Sequence, residues 1–258
     1  KKTITVALGV CLVCSILVAS AAVALKPKQQ ENMKLDKIKN ILAASGMEVK
    51  NGDFKSAYNK YFKSAIIEIN TGEILPEEKY DAILNVNSFD IASLASNPKY
   101  GMNIPANKDL ADIKKMPKYM LIYKVVKDGE VDQFIFPMYG KGLWSTMYGF
   151  LALDKDLKTV RGLTFYQHGE TPGLGGEIDN QRWKESWKGK TAFNDQNEIV
   201  IQVIKSIVDP SDPEKNSKID GLSGATITTR GVDDLVKFWL GKDGYGVYLE
   251  KLRKEGVK

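Results

Sequence analysis

The stretch YMLIYKVVKDGEVDQFIFPMYGKGLWSTMYGFLALDKDLKTVRGLTFYQH, residues 119–168, decides the fold. Two apolar runs, 119–126 and 130–139, flank Lys127-Asp128-Gly129, and Asp-Gly between such runs is a strong short-range hairpin signal. Residues 147–154 and 159–168 read as two more strands, joined through Lys155-Asp156-Leu157. Before this block, AIIEIN (65–70), Thr71-Gly72 and EIL suggest a further hairpin; after it, NEIVIQVIKS (197–206) suggests a strand. Helical spacing links Leu35, Ile38, Ile41 and Leu42, with Gly46 placed to end the helix. It returns at 177–188 around Trp183 and Trp187, at 229–240 where Val232, Leu235, Val236 and Trp239 share a face, and at 245–254. Strands in the middle with helices on the flanks predict an α+β fold with a mostly antiparallel sheet.

At the N-terminus, residues 4–25 (ITVALGVCLVCSILVASAAVAL) carry no charge. As a helix rising about 1.5 Å per residue they reach roughly 33 Å, enough for a hydrocarbon core of about 30 Å. Lys1 and Lys2 flank one end, and Lys26, Pro27 and Lys28 the other. A cleaved signal peptide is the rival, with Ala19-Ser20-Ala21 or Ala22-Val23-Ala24 as cleavage sites. The run exceeds the usual apolar stretch of about 7–15 residues, so a retained transmembrane anchor over 1–25 is expected. Ala7, Gly9, Ser15, Ala19, Ser20, Ala21 and Ala22 suit close packing against partner helices. Residues 26–34 then form a polar linker, and 35–258 a domain outside the membrane. Lysines lie on both sides of the apolar run, so charge leaves the orientation open.

Of 258 residues, 37 Lys+Arg against 32 Asp+Glu leave a net charge of +5, too slight and mixed to indicate nucleic acid. Two Cys and one His cannot easily supply the four ligands of a zinc or iron–sulfur centre. Cys11 and Cys14 fall on one face of the apolar helix and read as small filler, with a ligand pair completed by a neighbouring chain as the alternative. That helix has no ionisable residue, so this chain alone is not an ion pathway. Gly189-Lys190-Thr191 ends like a phosphate-binding P-loop, but Lys184 stands where its first glycine belongs. Gly140-x-Gly142-x-x-Ser145 mimics a dinucleotide fingerprint without its helix. His168 reads as a polar residue closing a strand.

Three segments remain. They are GKGLWS (140–145), HGETPGLGGEI (168–178) and DGLSGATITTRGV (220–232). In the third, Ser223, Gly224 and Ala225 carry little bulk, so backbone N–H groups can approach an anion. The N-terminus of the following helix, with Thr228 or Thr229 as cap, adds its dipole, and Arg230 adds positive charge. Glu170 and Thr171 offer polar contacts, while Trp144 and Leu174 could wall a planar ring. A phosphate seat beside a ring wall suggests a mononucleotide. The residues alone do not choose among Ser223, Thr226, Thr228 and Thr229 as a point of attachment.

DGLSGAT (220–226) resembles the flavinylation motif D-x-x-[ST]-G-A-[ST] of the FMN-binding domain family, and HGETPGLGGEI and GKGLWSTMYGFLALD resemble its other signature stretches. With the anchor and the length, the whole chain is similar to the C-subunit family of bacterial Na+-translocating NADH:quinone reductases. The resemblance implies covalent FMN held through its phosphate at Thr226. Ser223, Gly224, Ala225, Lys141, Trp144, Glu170, Thr171, Leu174 and Gly175 are the implied cofactor contacts, with no catalytic residue and no metal. It further implies an electron-transfer subunit of a multi-subunit complex in the bacterial inner membrane. Its domain would be periplasmic, where a flavin transferase installs the FMN, and its electrons would pass from an intramembrane iron–sulfur centre to a flavin of a neighbouring subunit. The equivalent subunit of the related ferredoxin:NAD+ reductase shares the motif, and an anchored binding or scaffold protein is the alternative from another class.

Overall fold

A computed structural model describes residues 2–49 and 52–256. Helix α1 runs unbroken over Lys2–Ala44. Lys1, the outermost flanking lysine of the apolar run, lies outside the described residues. The apolar part of α1 has a mean hydropathy of 2.6 and is not buried against the rest of the chain. The polar stretch 26–33, expected as a linker, is helical and carries Pro27 inside the helix. Its Lys, Gln, Glu and Met residues are good helix formers, so polarity there marks solvent and not a break. The far end of α1 buries Ile41, Leu42 and Ala44 against the sheet. Gly46, at φ +66°, ends it as expected: its N–H bonds Ala43 O (3.0 Å), and that of Met47 bonds Leu42 O (3.1 Å).

After α2 (Phe54–Tyr61) come β1 (Phe62–Glu68), α3 (Ile91–Ser96) and a small pair, β2 (Gly101–Asn103) and β3 (Lys115–Pro117). The main strands follow: β4 (Tyr119–Lys127), β5 (Glu130–Lys141), β6 (Thr146–Asp154) and β7 (Val160–Gln167). The five-stranded sheet has the order β1-β4-β5-β6-β7, and every neighbouring pair is antiparallel. Asp128 (φ +53°) and Gly129 (φ +86°) form the two-residue turn between β4 and β5, as their sequence predicts. The first expected hairpin is present as a tight turn with one bridge, Ile67–Ile74, on the outer edge of β1. Glu68 N–H bonds Glu73 O (2.9 Å) and Leu75 N–H bonds Ile66 O (2.7 Å), while the other edge pairs with β4.

Past β7 the chain is mostly turns. The helix expected at 177–188 divides into a 3-10 turn (Gly175–Asp179) and α4 (Gln181–Glu185), because Asn180 caps α4 by accepting from Arg182 N–H (3.0 Å). The strand expected at 197–206 reduces to β8 (Gln202–Val203), which pairs in parallel with β9 (Lys218–Ile219) outside the main sheet. The chain closes with α5 (Thr226–Leu240) and α6 (Gly246–Glu255), near the expected bounds.

The sheet is covered on both sides. On β5, the Gln133 side chain donates to Ser45 O at the end of α1, while Gly140, on the opposite face by alternation, meets Leu235 of α5. Two ring donors fix the C-terminal helices to β5: Trp239 Nε1–H to Tyr139 O (2.7 Å) and Tyr245 O–H to Pro137 O (2.6 Å). This clamp sets the start of α5 beside the β5–β6 turn.

Candidate functional site

The three glycine-bearing segments converge where that turn meets α5. The turn itself, Gly142–Ser145, closes on a bond from Gly142 N–H to Ser145 O (2.8 Å). Beneath it lies Glu170, only 5% exposed. Its Oε2 accepts from Leu143 N–H (3.1 Å) and the Thr228 hydroxyl (2.5 Å), and its Oε1 from Trp144 N–H (3.0 Å) and Ser145 N–H (3.3 Å). Burial opposes its ionisation, but the bonds from Thr228, Trp144, Leu143 and Ser145 outweigh burial and hold the carboxyl below its usual 4.5. One carboxylate therefore joins all three segments.

Neighbouring bonds complete this floor. Gly169 N–H donates to Ser145 Oγ (2.6 Å), and Glu170 N–H donates to His168 Nδ1 (3.2 Å). Since Nδ1 accepts, the ring proton sits on Nε2, which faces Asp179 Oδ2 at 2.8 Å. His168 thus tethers a loop, in line with its reading as a strand-closing polar residue. There is no spare room: a Cβ on Gly142 would lie 2.5 Å from Glu170 Oε1, and one on Gly175 would press on Thr228 Oγ1 and Glu170 Oε2. The Asp220 end is pinned as well, with Trp183 Nε1–H on Asp220 O (2.8 Å) and Val208 N–H on Asp220 Oδ1 (2.7 Å).

Ala225 precedes the first turn of α5, and no side chain caps it. The threonines expected as caps serve otherwise. Thr228 and Thr229 are buried inside the first turn; the Thr229 hydroxyl accepts from Leu222 N–H (3.0 Å), and that of Thr228 is spent on Glu170. Thr226, the first helical residue, is exposed, as is Ser223. Gly224 takes φ +72°, and a Cβ there would meet Leu174 at 3.0 Å, so the second segment leans on the third. Each of the three segments carries exposed apolar side chains: Ile227 at 58% next to Thr226 in the chain, Leu174 against Gly224, and Leu143 and Trp144 at 67% on the turn. Lys141 and Arg230, also exposed, border a depression of about 180 Å³ that Ile227, Ala111, Asp112 and Asp234 also line.

Residues 142–241 match the model of the FMN-binding domain family, a span that begins at the β5–β6 turn, includes all of α5 and so contains the site residues described above except Lys141 and the 111–112 edge of the depression. Over 98% of its length the chain is 45% identical to the C subunit of the Na(+)-translocating NADH-quinone reductase of Pseudomonas aeruginosa, and the match spans 96% of that protein. The chain belongs to the C-subunit family of the Na(+)-translocating NADH-quinone reductases. The corresponding C subunit of Haemophilus ducreyi is 42% identical, over 97% of this chain and 93% of that one. The crystal structure of Shewanella oneidensis NqrC superposes with a TM-score of 0.75 at 33% identity, covering 84% of this chain and 95% of that one. The likeness confirms the α+β fold, and membership makes this chain a subunit of an oxidoreductase complex.

In this family member the residues singled out by sequence fall into two sets. Thr226, Ser223, Gly224, Lys141, Trp144, Thr171 and Leu174 lie outermost, while Ala225, Glu170 and Gly175 are buried beneath them. Sequence reading missed Ile227, whose apolar side chain stands out beside Thr226, and the buried roles of Gly142, Thr228 and Thr229. Helical spacing held the signal for the threonines. Thr228, Thr229 and Val232 share the inward face with Leu235 and Val236, whereas Thr226, Ile227 and Arg230 face out. Among the described residues no cluster of three or more His, Cys, Asp or Glu could hold a metal, and Cys11 and Cys14 are free and exposed on α1.

Proposed function

We propose that this chain is the flavin-carrying electron-transfer subunit of a Na+-pumping NADH:ubiquinone oxidoreductase, with FMN joined through its phosphate to Thr226 Oγ1. The observation that carries the reading is the setting of Thr226: an exposed hydroxyl on the first turn of an uncapped helix, inside the motif DGLSGAT and framed by exposed apolar side chains. These residues fit a phosphate-bearing aromatic ligand. The open first-turn N–H groups of α5 and its dipole favour an anion. Trp144, Leu143, Leu174 and Ile227 offer apolar surface to a ring, and Lys141 and Arg230 add positive charge.

Exposure reduces the four candidate hydroxyls to Ser223 and Thr226, and position in the motif assigns Thr226. In the attachment step, Thr226 Oγ1 forms a bond to the phosphorus of a flavin phosphoanhydride presented by a flavin transferase. The P–O bond to the leaving mononucleotide breaks, and the hydroxyl proton goes to a base of the transferase or to water. Bound there, FMN supplies the electron-accepting and electron-donating chemistry of the subunit. The chain's own residues hold the ring, screen it from water and, through the tether, prevent its loss. Electrons would enter from an iron–sulfur centre held by other subunits within the membrane and leave to the flavin of a neighbouring subunit, so turnover belongs to the whole complex. The apolar part of α1 anchors the chain in the bacterial inner membrane as a single pass, and residues 35–258 form the periplasmic domain.

The test is co-expression with a flavin transferase followed by denaturing electrophoresis. A flavin-fluorescent band that survives SDS, is lost in Thr226→Ala and is kept in Ser223→Ala supports the assignment. The peptide containing Thr226 should carry the mass of FMN less one water. A dark wild-type band, or fluorescence that persists in Thr226→Ala, overturns it.

A further inference from the structure

The family resemblance implies Glu170 as a cofactor contact, yet its oxygens are bonded within the protein. We propose that Glu170 is the positioning residue of this site: an ionised carboxylate that locks the Gly142–Ser145 turn and the first turn of α5 into one frame, and so fixes a negative charge beside Thr226. This rests on the flavin reading given above and adds a role for a group that touches the chain alone.

Each carboxylate oxygen accepts two hydrogen bonds, Oε2 from Leu143 N–H and Thr228 O–H, Oε1 from Trp144 N–H and Ser145 N–H. Three of the four partners are backbone N–H groups that can only donate, and the fourth, the Thr228 hydroxyl, can donate as well. An ionised carboxylate satisfies all four. An amide satisfies fewer: its NH2 meets the N–H donors of Trp144 and Ser145 in one orientation and that of Leu143 in the other. A protonated acid has only Thr228 Oγ1 to donate to and weakens the acceptor that Leu143 N–H uses. Gly142 and Gly175 fit the same requirement, since a Cβ at either would enter the space that the carboxylate and the Thr228 hydroxyl fill. A hydrogen bond to a charged group contributes more than a neutral one, and a buried charge left without partners is strongly unfavourable. The frame is therefore strongest around the anion, the one form that accepts from all four partners at full strength.

The charge has a second consequence. Thr228 lies two residues from Thr226, so a group attached at Thr226 projects from the same helical turn whose inner face is bonded to a fixed anion of low solvent exposure. Reduction of a flavin adds negative charge, and a nearby buried anion opposes it. Glu170 should hold the flavin's midpoint potential down.

The full chain in detergent separates the two consequences. Hydrogen exchange is followed by mass spectrometry in a flavin-free Thr226→Ala background, and the potential is titrated on the tethered protein. Glu170→Gln should speed exchange of the Leu143, Trp144 and Ser145 amides on the order of tenfold and shift the potential upward. Thr228→Val, which keeps the charge, should speed exchange without raising the potential, and Thr228→Ser should restore protection. Wild-type exchange and potential in Glu170→Gln overturn the proposal. So does a potential raised as far by Thr228→Val, since loosening and not charge would then be the cause. If Glu170→Gln does not fold, exchange in Thr228→Val decides: faster at these three amides supports the lock, and wild-type protection overturns it. A wild type that carries no flavin after co-expression with the transferase refutes the function proposed above, and the flavin-free exchange still decides the lock.

Discussion

The floor and the rim of the site are built from the same short segments and obey opposite rules. On the floor, Glu170, Gly142, Gly175, Thr228 and Thr229 are buried, and the carboxylate and both hydroxyls there have their partners within the chain. On the rim, Thr226, Ser223, Trp144, Leu174 and Ile227 stand outermost, apolar groups included. Thr226 and Thr228 are two positions apart on one helix, and a rotation of about 200° along its axis separates a hydroxyl open to chemistry from one committed to structure. Residue type does not distinguish them; orientation does. Substitutions on the floor should cost stability, and those on the rim should change what the site holds.

The sharpest test of that division is Thr226→Ala. It should abolish covalently attached flavin completely while leaving the melting temperature of the flavin-free chain unchanged, as measured by SDS-resistant fluorescence and circular dichroism. A fall of many degrees would place Thr226 with the floor.

Next in size come the floor glycines. Gly175→Ala forces a methyl onto Thr228 Oγ1 and Glu170, and Gly142→Ala forces one onto Glu170 Oε1. Overpacking of this kind costs about 1–3 kcal/mol, or several degrees in Tm for a domain of this size at roughly 2–4 °C per kcal/mol. The alanine variants should thus melt lower and still carry flavin if they fold. Thr229→Val is expected to cost about 1–3 kcal/mol by leaving the buried Leu222 N–H without its acceptor, which equilibrium urea unfolding would measure.

Acid separates the two regions as well. The folded pKa of Glu170 is depressed, because hydrogen bonding to the carboxylate outweighs burial. Its contribution to stability is complete above its ordinary value of 4.5, and is lost as pH falls below that towards the depressed folded value. Stability of the flavin-free domain should decline on that limb, and Glu170→Gln should make the decline shallower. An equal decline in both proteins would assign the acid sensitivity elsewhere.

How far this division could be read from sequence depends on what each part answers to. The strands of residues 119–168 were legible because the period of two and the Asp128-Gly129 turn are local properties. The segment 197–206 alternates just as well, yet only Gln202–Val203 pairs as a strand, since alternation does not name a partner. Residues 26–33 look like a linker because they are polar and contain Pro27, but a polar helix needs no core to be a helix. At the site, the three glycine-rich segments were recognisable as a group. The commitment of Glu170 to three backbone amides and Thr228 was not, because it arises only when the β5–β6 turn, the loop after β7 and α5 are brought together.

The smallest expected effect is the most diagnostic for the rim. Trp144 is the exposed indole among four; Trp183, Trp187 and Trp239 are buried. Its backbone N–H, and not its ring, is bound to Glu170, so Trp144→Ala keeps the lock and removes only exposed apolar surface. Stability should therefore change by no more than about 0.5 kcal/mol, and the SDS-resistant flavin band should remain. If the indole screens the ring, flavin fluorescence in the native protein should rise when this quenching neighbour is removed. Unchanged fluorescence together with unchanged stability would take Trp144 out of the ring's surroundings and leave Leu174 and Ile227 as its apolar wall.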